Sequence, residues 1–103
     1  MDIDLSSKTA IVTGGTKGIG RAIAESLVSA GAQVAITARN DDEIGTTVAD
    51  LKKLGAGTAA GYVCDVRDYE QVKSVFERIN KEFGGLDILI NNAGVGIFAS
   101  VES

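Results

Sequence analysis

Apolar residues fall along this chain in two alternating patterns, one suited to buried strands and one with the period of a helix. Residues 9–13 (TAIVT), 33–37 (QVAIT), 59–64 (AAGYVC) and 87–91 (DILIN) are short and mostly apolar, and most of them are rich in β-branched side chains. Runs of this kind, without clean alternation, suit strands covered on both faces. Between them the spacing changes to three and four. Ile19, Ile23, Leu27 and Ala30 share one face of a first helix, and Ile44, Val48, Leu51 and Leu54 one face of a second. Val72, Val75, Phe76, Ile79 and Phe83 do the same in a third.

The punctuation agrees with the periodicity. Each helical stretch ends on a glycine, Gly31, Gly55 or Gly84, where a left-handed cap residue belongs. Asn40 with Glu43, and Asp68 with Gln71, read as a cap residue with a reciprocal partner three positions on. The chain contains no proline. The resulting order, β-α-β-α-β-α-β, predicts an α/β fold: a parallel sheet built by right-handed crossovers, with helices on its faces. It describes one domain, or part of one.

Composition narrows the function more than the fold. The chain has 103 residues, 45% hydrophobic and 23% charged, as expected of a globular domain. Ten basic residues against 14 acidic ones leave a net charge of −4, which argues against a nucleic-acid partner. No apolar run approaches the roughly 18 residues of a membrane span. The polar, acidic start MDIDLSSK is unlike a signal peptide, so the expected location is cytoplasmic. A single cysteine, Cys64, excludes an internal disulfide and offers no metal spacing, and the absence of histidine excludes His-based catalysis or ligation in this chain.

The informative chemistry lies at the first strand-to-helix turn, in TAIVTGGTKGIG at positions 9–20. A strand ending near Thr13 and a helix starting near Gly18 place the glycines in a β-to-α turn. A helix N-terminus there offers unpaired N–H groups and a positive dipole end, which suit a pyrophosphate. Glycine keeps Cβ atoms out of the turn, out of the path of phosphate oxygens and out of helix–strand packing. The spacing is Gly14-x-x-x-Gly18-x-Gly20, and Lys17 is followed by Gly18 and Ile19 rather than by the G-K-[ST] ending of a nucleoside-triphosphate loop.

Thr13-Gly14-x-x-x-Gly18-Ile19-Gly20 resembles the cofactor motif of the short-chain dehydrogenase/reductases. Cys64-Asp65-Val66 after the third strand and Asn91-Asn92-Ala93-Gly94 after the fourth resemble two further motifs of that family, and Leu86-Asp87 precedes the fourth strand as the family has it. The likeness covers essentially the whole chain. It implies a Rossmann-type sheet of order 3-2-1-4, and a dinucleotide site formed by Thr13, Gly14, Thr16, Lys17, Gly18, Ile19, Gly20, Arg39, Asp65, Val66, Asn91, Ala93 and Gly94. In that family the aspartate at Asp65 bonds the adenine amino group, and the asparagine segment lies beside adenine and ribose. The resemblance also suggests that Thr13 holds the glycine turn to the 93–94 segment. On chemistry alone, Asp65 has the alternative reading of a turn former, Thr13 of a β-branched strand residue, and Asn91 of a structural tie between strands.

The second strand bears on which nicotinamide cofactor is held. An acid about 20 residues beyond the glycine motif selects NAD by binding the ribose 2′-hydroxyl. In register with the family, Ala38 stands in that place and Arg39 follows. A guanidinium holds a 2′-phosphate bidentately, and Lys17 on the adjoining turn supplies a second charge, although alone it reads as a solvated lysine. NADP is therefore expected over NAD. Asp41 and Asp42 favour the dipole of the second helix, and a register one or two residues off would bring one towards the ribose.

Tyr69-x-x-x-Lys73 has the spacing of the family's catalytic pair but stands in the wrong place, directly after the Asp65 segment. The resemblance locates the catalytic serine, tyrosine and lysine, and the family's helix-4 asparagine, beyond Ser103. It thus reads residues 1–103 as the N-terminal portion of one dinucleotide-binding domain, cut before its fifth strand. The fourth strand would then be an open apolar edge, implying marginal stability or self-association. Three readings follow: the NADP-binding part of an oxidoreductase acting on a carbonyl or alcohol, a homo-oligomer when intact; a non-catalytic NADP-binding module; and a remnant that binds nothing. The chain resembles carrier-protein ketoacyl reductases and sugar or polyol dehydrogenases about equally.

Overall fold

The computed structural model describes residues 4–92. Four strands alternate with three helices: β1 (Thr9–Thr13), α1 (Gly18–Ser29), β2 (Gln33–Ala38), α2 (Asp41–Lys52), β3 (Thr58–Val63), α3 (Tyr69–Phe83) and β4 (Ile88–Asn91). All strand pairs are parallel, in the order β3-β2-β1-β4. Register runs from Thr9 opposite Gln33 to Thr13 opposite Thr37, and Thr13 also faces Asn91. On the other side Ala38 faces Val63. The carboxyl ends of all four strands therefore share one rim, and the loops leaving it emerge together.

Strand alternation divides the core. Val12, Val34 and Ile36 point to one face and pack with Ala24 and Val28 of α1 and Ile44 and Leu51 of α2. Ile11, Ala35 and Tyr62 point to the other, against Ile79 of α3, with Val75, Phe76 and Phe83 half-buried beside them. Both faces of β1 and β2 are covered, which explains their nearly continuous apolar sequence.

The expected α1 face is rotated. Gly20, Ala24 and Val28 are its buried residues, whereas Ile19 is 72% exposed. A small residue faces the sheet at Gly20, so the helix start approaches it closely and turns Ile19 outward. Leu54 lies past the end of α2 and is exposed, and Thr47 occupies a buried place on that helix. β3 begins one residue earlier than its apolar run suggests and leaves Cys64 just beyond it.

The helix ends follow the expected chemistry in part. Asn40 Oδ1 accepts from Glu43 N (3.0 Å) and Asp68 Oδ1 from Gln71 N (3.3 Å). Gly31, Gly55 and Gly84 all have positive φ. Gln71 Nε2 also donates back to Asp68 Oδ2 (3.3 Å), so the partner expected at α3 is met side chain to side chain, whereas that at α2 is not. Gln71 Oε1 accepts from the backbone N–H of Asp65 (2.9 Å), and the Glu43 carboxylate crosses to the glycine turn.

Candidate functional site

The turn after β1 is anchored through its backbone. Gly14 N and Gly15 N both donate to the Thr37 carbonyl, at 2.8 and 3.3 Å, which bends the chain over the end of β2. Gly14 (φ 65°) and Gly18 (φ 56°) lie in the left-handed region, where a side chain would be strained. At Gly20 the requirement is space, because a Cβ would collide with the Gly14 carbonyl oxygen and the Asn92 side-chain amide.

The start of α1 differs from the other two. Lys17 is its N-cap in an extended conformation; no side chain caps the helix, and no acid sits in its first turn. Helices α2 and α3 have both a side-chain cap and first-turn acids. The N–H groups opening α1 are thus left to an external acceptor, and open space surrounds the Cβ position of Gly18.

Strand β4 supports this turn from below. Thr13 Oγ1 donates to Asn91 Oδ1 (3.3 Å), with the Ile90 carbonyl at 3.4 Å, and accepts from Asn92 N (2.9 Å). Asn92 Nδ2 donates to the Gly14 carbonyl (3.2 Å). Thr13 and Asn91 therefore tie the strands together. The expected link from Thr13 to residues 93–94 reaches Asn91 and Asn92 within the described chain; Ala93 and Gly94 lie outside the described residues.

Above the rim lies a cleft of about 730 Å³. Of the residues expected at the site, Gly14, Thr16, Lys17, Arg39, Asp65 and Val66 line it. Thr13, Gly20 and Asn91 stand behind the lining as supports, and Gly18 and Ile19 open α1 beside it. Asn92 of the asparagine segment lines the cleft too, as do Glu43, Arg67 and Thr37, which the sequence motifs did not single out for it. Two of them carried a usable signal: Glu43 stands three residues after a cap on the helix entering the rim, and Arg67 two residues after Asp65. Asp41 and Asp42 do not line the cleft, so the acid of α2 that reaches it is Glu43. Tyr69 and Lys73 are also absent from the lining, and Tyr69 is exposed at the start of α3.

The charges in the cleft are partly paired. Arg67 Nε and Nη2 donate to the two oxygens of Asp65, at 3.0 and 2.9 Å, and Arg67 N donates to Oδ1. These bonds hold the Asp65 carboxyl at about 2, below the ordinary 3.8. Lys17 Nζ lies 3.3 Å from Glu43 Oε1, which also accepts from Thr16 Oγ1 at 3.4 Å. Burial pushes the Cys64 thiol up, with Asp65 and Asp68 adding to the effect.

Several features fit an anionic ligand with hydrogen-bonding edges. The uncapped α1 terminus suits a pyrophosphate, Lys17 and Arg39 suit a further phosphate, and Asp65 suits an exocyclic amine. Thr37 Oγ1 is buried among the lining residues without a hydrogen-bond partner, an unsatisfied group of the kind a bound molecule or water completes. A dinucleotide matches this donor set.

Comparison with known proteins agrees. The sequence profile of the short chain dehydrogenases matches residues 8–103. A chloroplastic tropinone reductase homologue of Arabidopsis thaliana is 45% identical over 94 residues, covering 90% of this chain and 29% of the plant protein. A 2,5-dichloro-2,5-cyclohexadiene-1,4-diol dehydrogenase of Sphingobium indicum is 46% identical over 92 residues, covering 89% of this chain and 35% of the other. The chain thus spans about a third of these relatives. Among solved structures, L-sorbose reductase from Gluconobacter frateurii, complexed with NADPH and L-sorbose, superposes with a TM-score of 0.85 at 38% identity. That match covers 100% of this chain and 40% of the reductase. Among the described residues no helix is long and apolar enough to cross a membrane. Motif order, sheet order and these matches agree: the chain belongs to the short-chain dehydrogenase/reductase family of oxidoreductases.

Proposed function

We propose that this chain is the NADP-binding part of a short-chain oxidoreductase that moves hydride between nicotinamide and a carbonyl or alcohol carbon. The observation that carries the choice of NADP is that Lys17 and Arg39 both line the cleft, with Ala38 where an NAD-selecting acid would stand. Arg39 lines the cleft near enough to Asp65 for its charge to help lower that carboxyl, and its planar guanidinium suits a 2′-phosphate. The L-sorbose reductase complexed with NADPH, and a metagenomic short-chain oxidoreductase in complex with NADP (TM-score 0.83, 35% identity), lend support.

In this reading the α1 N-terminus holds the pyrophosphate and Asp65 receives the adenine amino group beside Val66. Thr13, Asn91 and Asn92 keep the glycine turn in place. NADP, once held, supplies the hydride acceptor or donor. Catalytic serine, tyrosine and lysine residues, the substrate pocket and homo-oligomer contacts belong to the rest of the intact enzyme.

Titration of the chain with NADPH and with NADH tests the reading. Tighter binding of NADPH, by at least about tenfold, is expected from two cations on one phosphate. Equal or tighter binding of NADH overturns the assignment of Lys17 and Arg39. A second reading, a non-catalytic NADP-binding module, draws on the cleft that the described residues already form between the glycine turn, Arg39 and Asp65. Coding sequence that continues past Ser103 to a Tyr-x-x-x-Lys pair favours the enzyme, and a stop codon favours the module.

A further inference from the structure

Glu43 does something in this cleft that neither its helix nor its family motif explains. As the third residue of a capped helix, its side chain would ordinarily turn back to the cap residue. Instead its Oε1 meets Lys17 Nζ at 3.3 Å and Thr16 Oγ1 at 3.4 Å, both on the glycine turn. Its backbone N–H donates to Asn40 Oδ1, which holds the residue at a fixed point of the rim. A carboxylate is thus built into the place where the second cation for a phosphate is expected. Lys17 is 78% exposed at its side chain and is free to swing between two acceptors.

We propose that Glu43 is a specificity-determining residue of the cofactor cleft, holding Lys17 when no phosphate is bound and so restraining the preference for a 2′-phosphate over a 2′-hydroxyl. This rests on the NADP reading above. A phosphate dianion recruiting Lys17 must replace Glu43 as its partner and then lie beside the displaced carboxylate. A ribose hydroxyl carries no charge and meets neither cost. Glu43 thus opposes the two cations, Lys17 and Arg39, that a 2′-phosphate would recruit, and damps the discrimination.

The test compares 2′,5′-ADP with 5′-AMP, which differ only in the 2′-phosphate, by calorimetry on the full chain. The E43Q variant keeps the backbone bond to Asn40 and removes the charge. It is expected to bind 2′,5′-ADP about three- to fivefold more tightly with 5′-AMP unchanged, the scale of an exposed ion pair. The gain shrinks in high salt, and it disappears when Lys17→Met is combined with E43Q. A control, D42N, removes an acid from the same helical turn that does not touch Lys17, and its effect is expected to be smaller than half as large. The proposal is overturned by an equal effect of E43Q on both nucleotides, by persistence of the effect without Lys17, or by an equal effect of D42N. Weaker 5′-AMP binding with 2′,5′-ADP unmoved also overturns it, and makes Glu43 a ribose acceptor. A wild-type chain that prefers 5′-AMP defeats the NADP reading itself, whereas one that prefers 2′,5′-ADP but ignores E43Q defeats only this inference.

Discussion

At the scale of single residues, the glycine motif is three separate requirements that happen to share a residue type. Gly14 and Gly18 are needed for backbone shape, and Gly20 for space against Gly14 and Asn92. Substituting Gly20 with Ala places a methyl group on the Gly14 carbonyl and the Asn92 amide. It is expected to cost about 1–3 kcal/mol by overpacking, read as a lower denaturant midpoint, and to weaken nucleotide binding together with it. A Gly20→Ala chain with unchanged midpoint would show that the turn relaxes freely. The motif was legible because its residues are close in sequence. The side-chain contacts of Glu43 and Arg67 were not, since each depends on where a different strand-to-helix loop arrives at the rim.

At the scale of elements, a part-buried polar link ties α3 to β3. Tyr62 Oη donates to Glu82 Oε1 at 2.5 Å, and the Arg78 guanidinium stands 5.2 Å from the ring centre. Burial, reinforced by Glu82, pushes the phenol up from 10.0 to about 12, and the same hydrogen bond lowers the Glu82 carboxyl. Because the folded phenol titrates above its unfolded value, its contribution to stability is complete below pH 10 and is lost as pH rises through about 12. Urea midpoints are therefore expected to fall over that window in the wild type and more shallowly in Tyr62→Phe. The variant should also lose about 1 kcal/mol at neutral pH. Parallel slopes for the two proteins would remove Tyr62 as the titrating group. Periodicity placed all seven elements within a residue or two, because burial on both sheet faces writes itself into adjacent positions. It misjudged Ile19, whose outward turn follows from close packing at Gly20, a contact between residues distant in sequence.

At the scale of the molecule, the parallel order β3-β2-β1-β4 puts β3 and β4 at the edges of the described sheet. Strand β4 pairs with β1, and Ile88, Leu89 and Ile90 are only half-buried. Phe76, Phe83, Leu86 and Leu89 form a partly covered apolar surface on the α3 face. An edge with such a flank recruits further strands or a second copy. Sedimentation of the 103-residue chain should accordingly show mass rising with concentration; a single monomeric species at every concentration would count against it.

Taken by itself, the amino-acid order determined the α/β class, the places of strands and helices, the N-caps of α2 and α3, the left-handed glycines after all three helices and the family, because these depend on local periodicity and short motifs. It also determined that Ala38 rather than an acid precedes Arg39. Only the tertiary structure decided which charges meet. Parallel register brings the ends of β1, β2 and β3 to one rim, and there Arg67 clamps Asp65 while Glu43 takes hold of Lys17. Lys17 and Glu43 are 26 residues apart in the chain and 3.3 Å apart in space, and no local pattern encodes a contact of that kind.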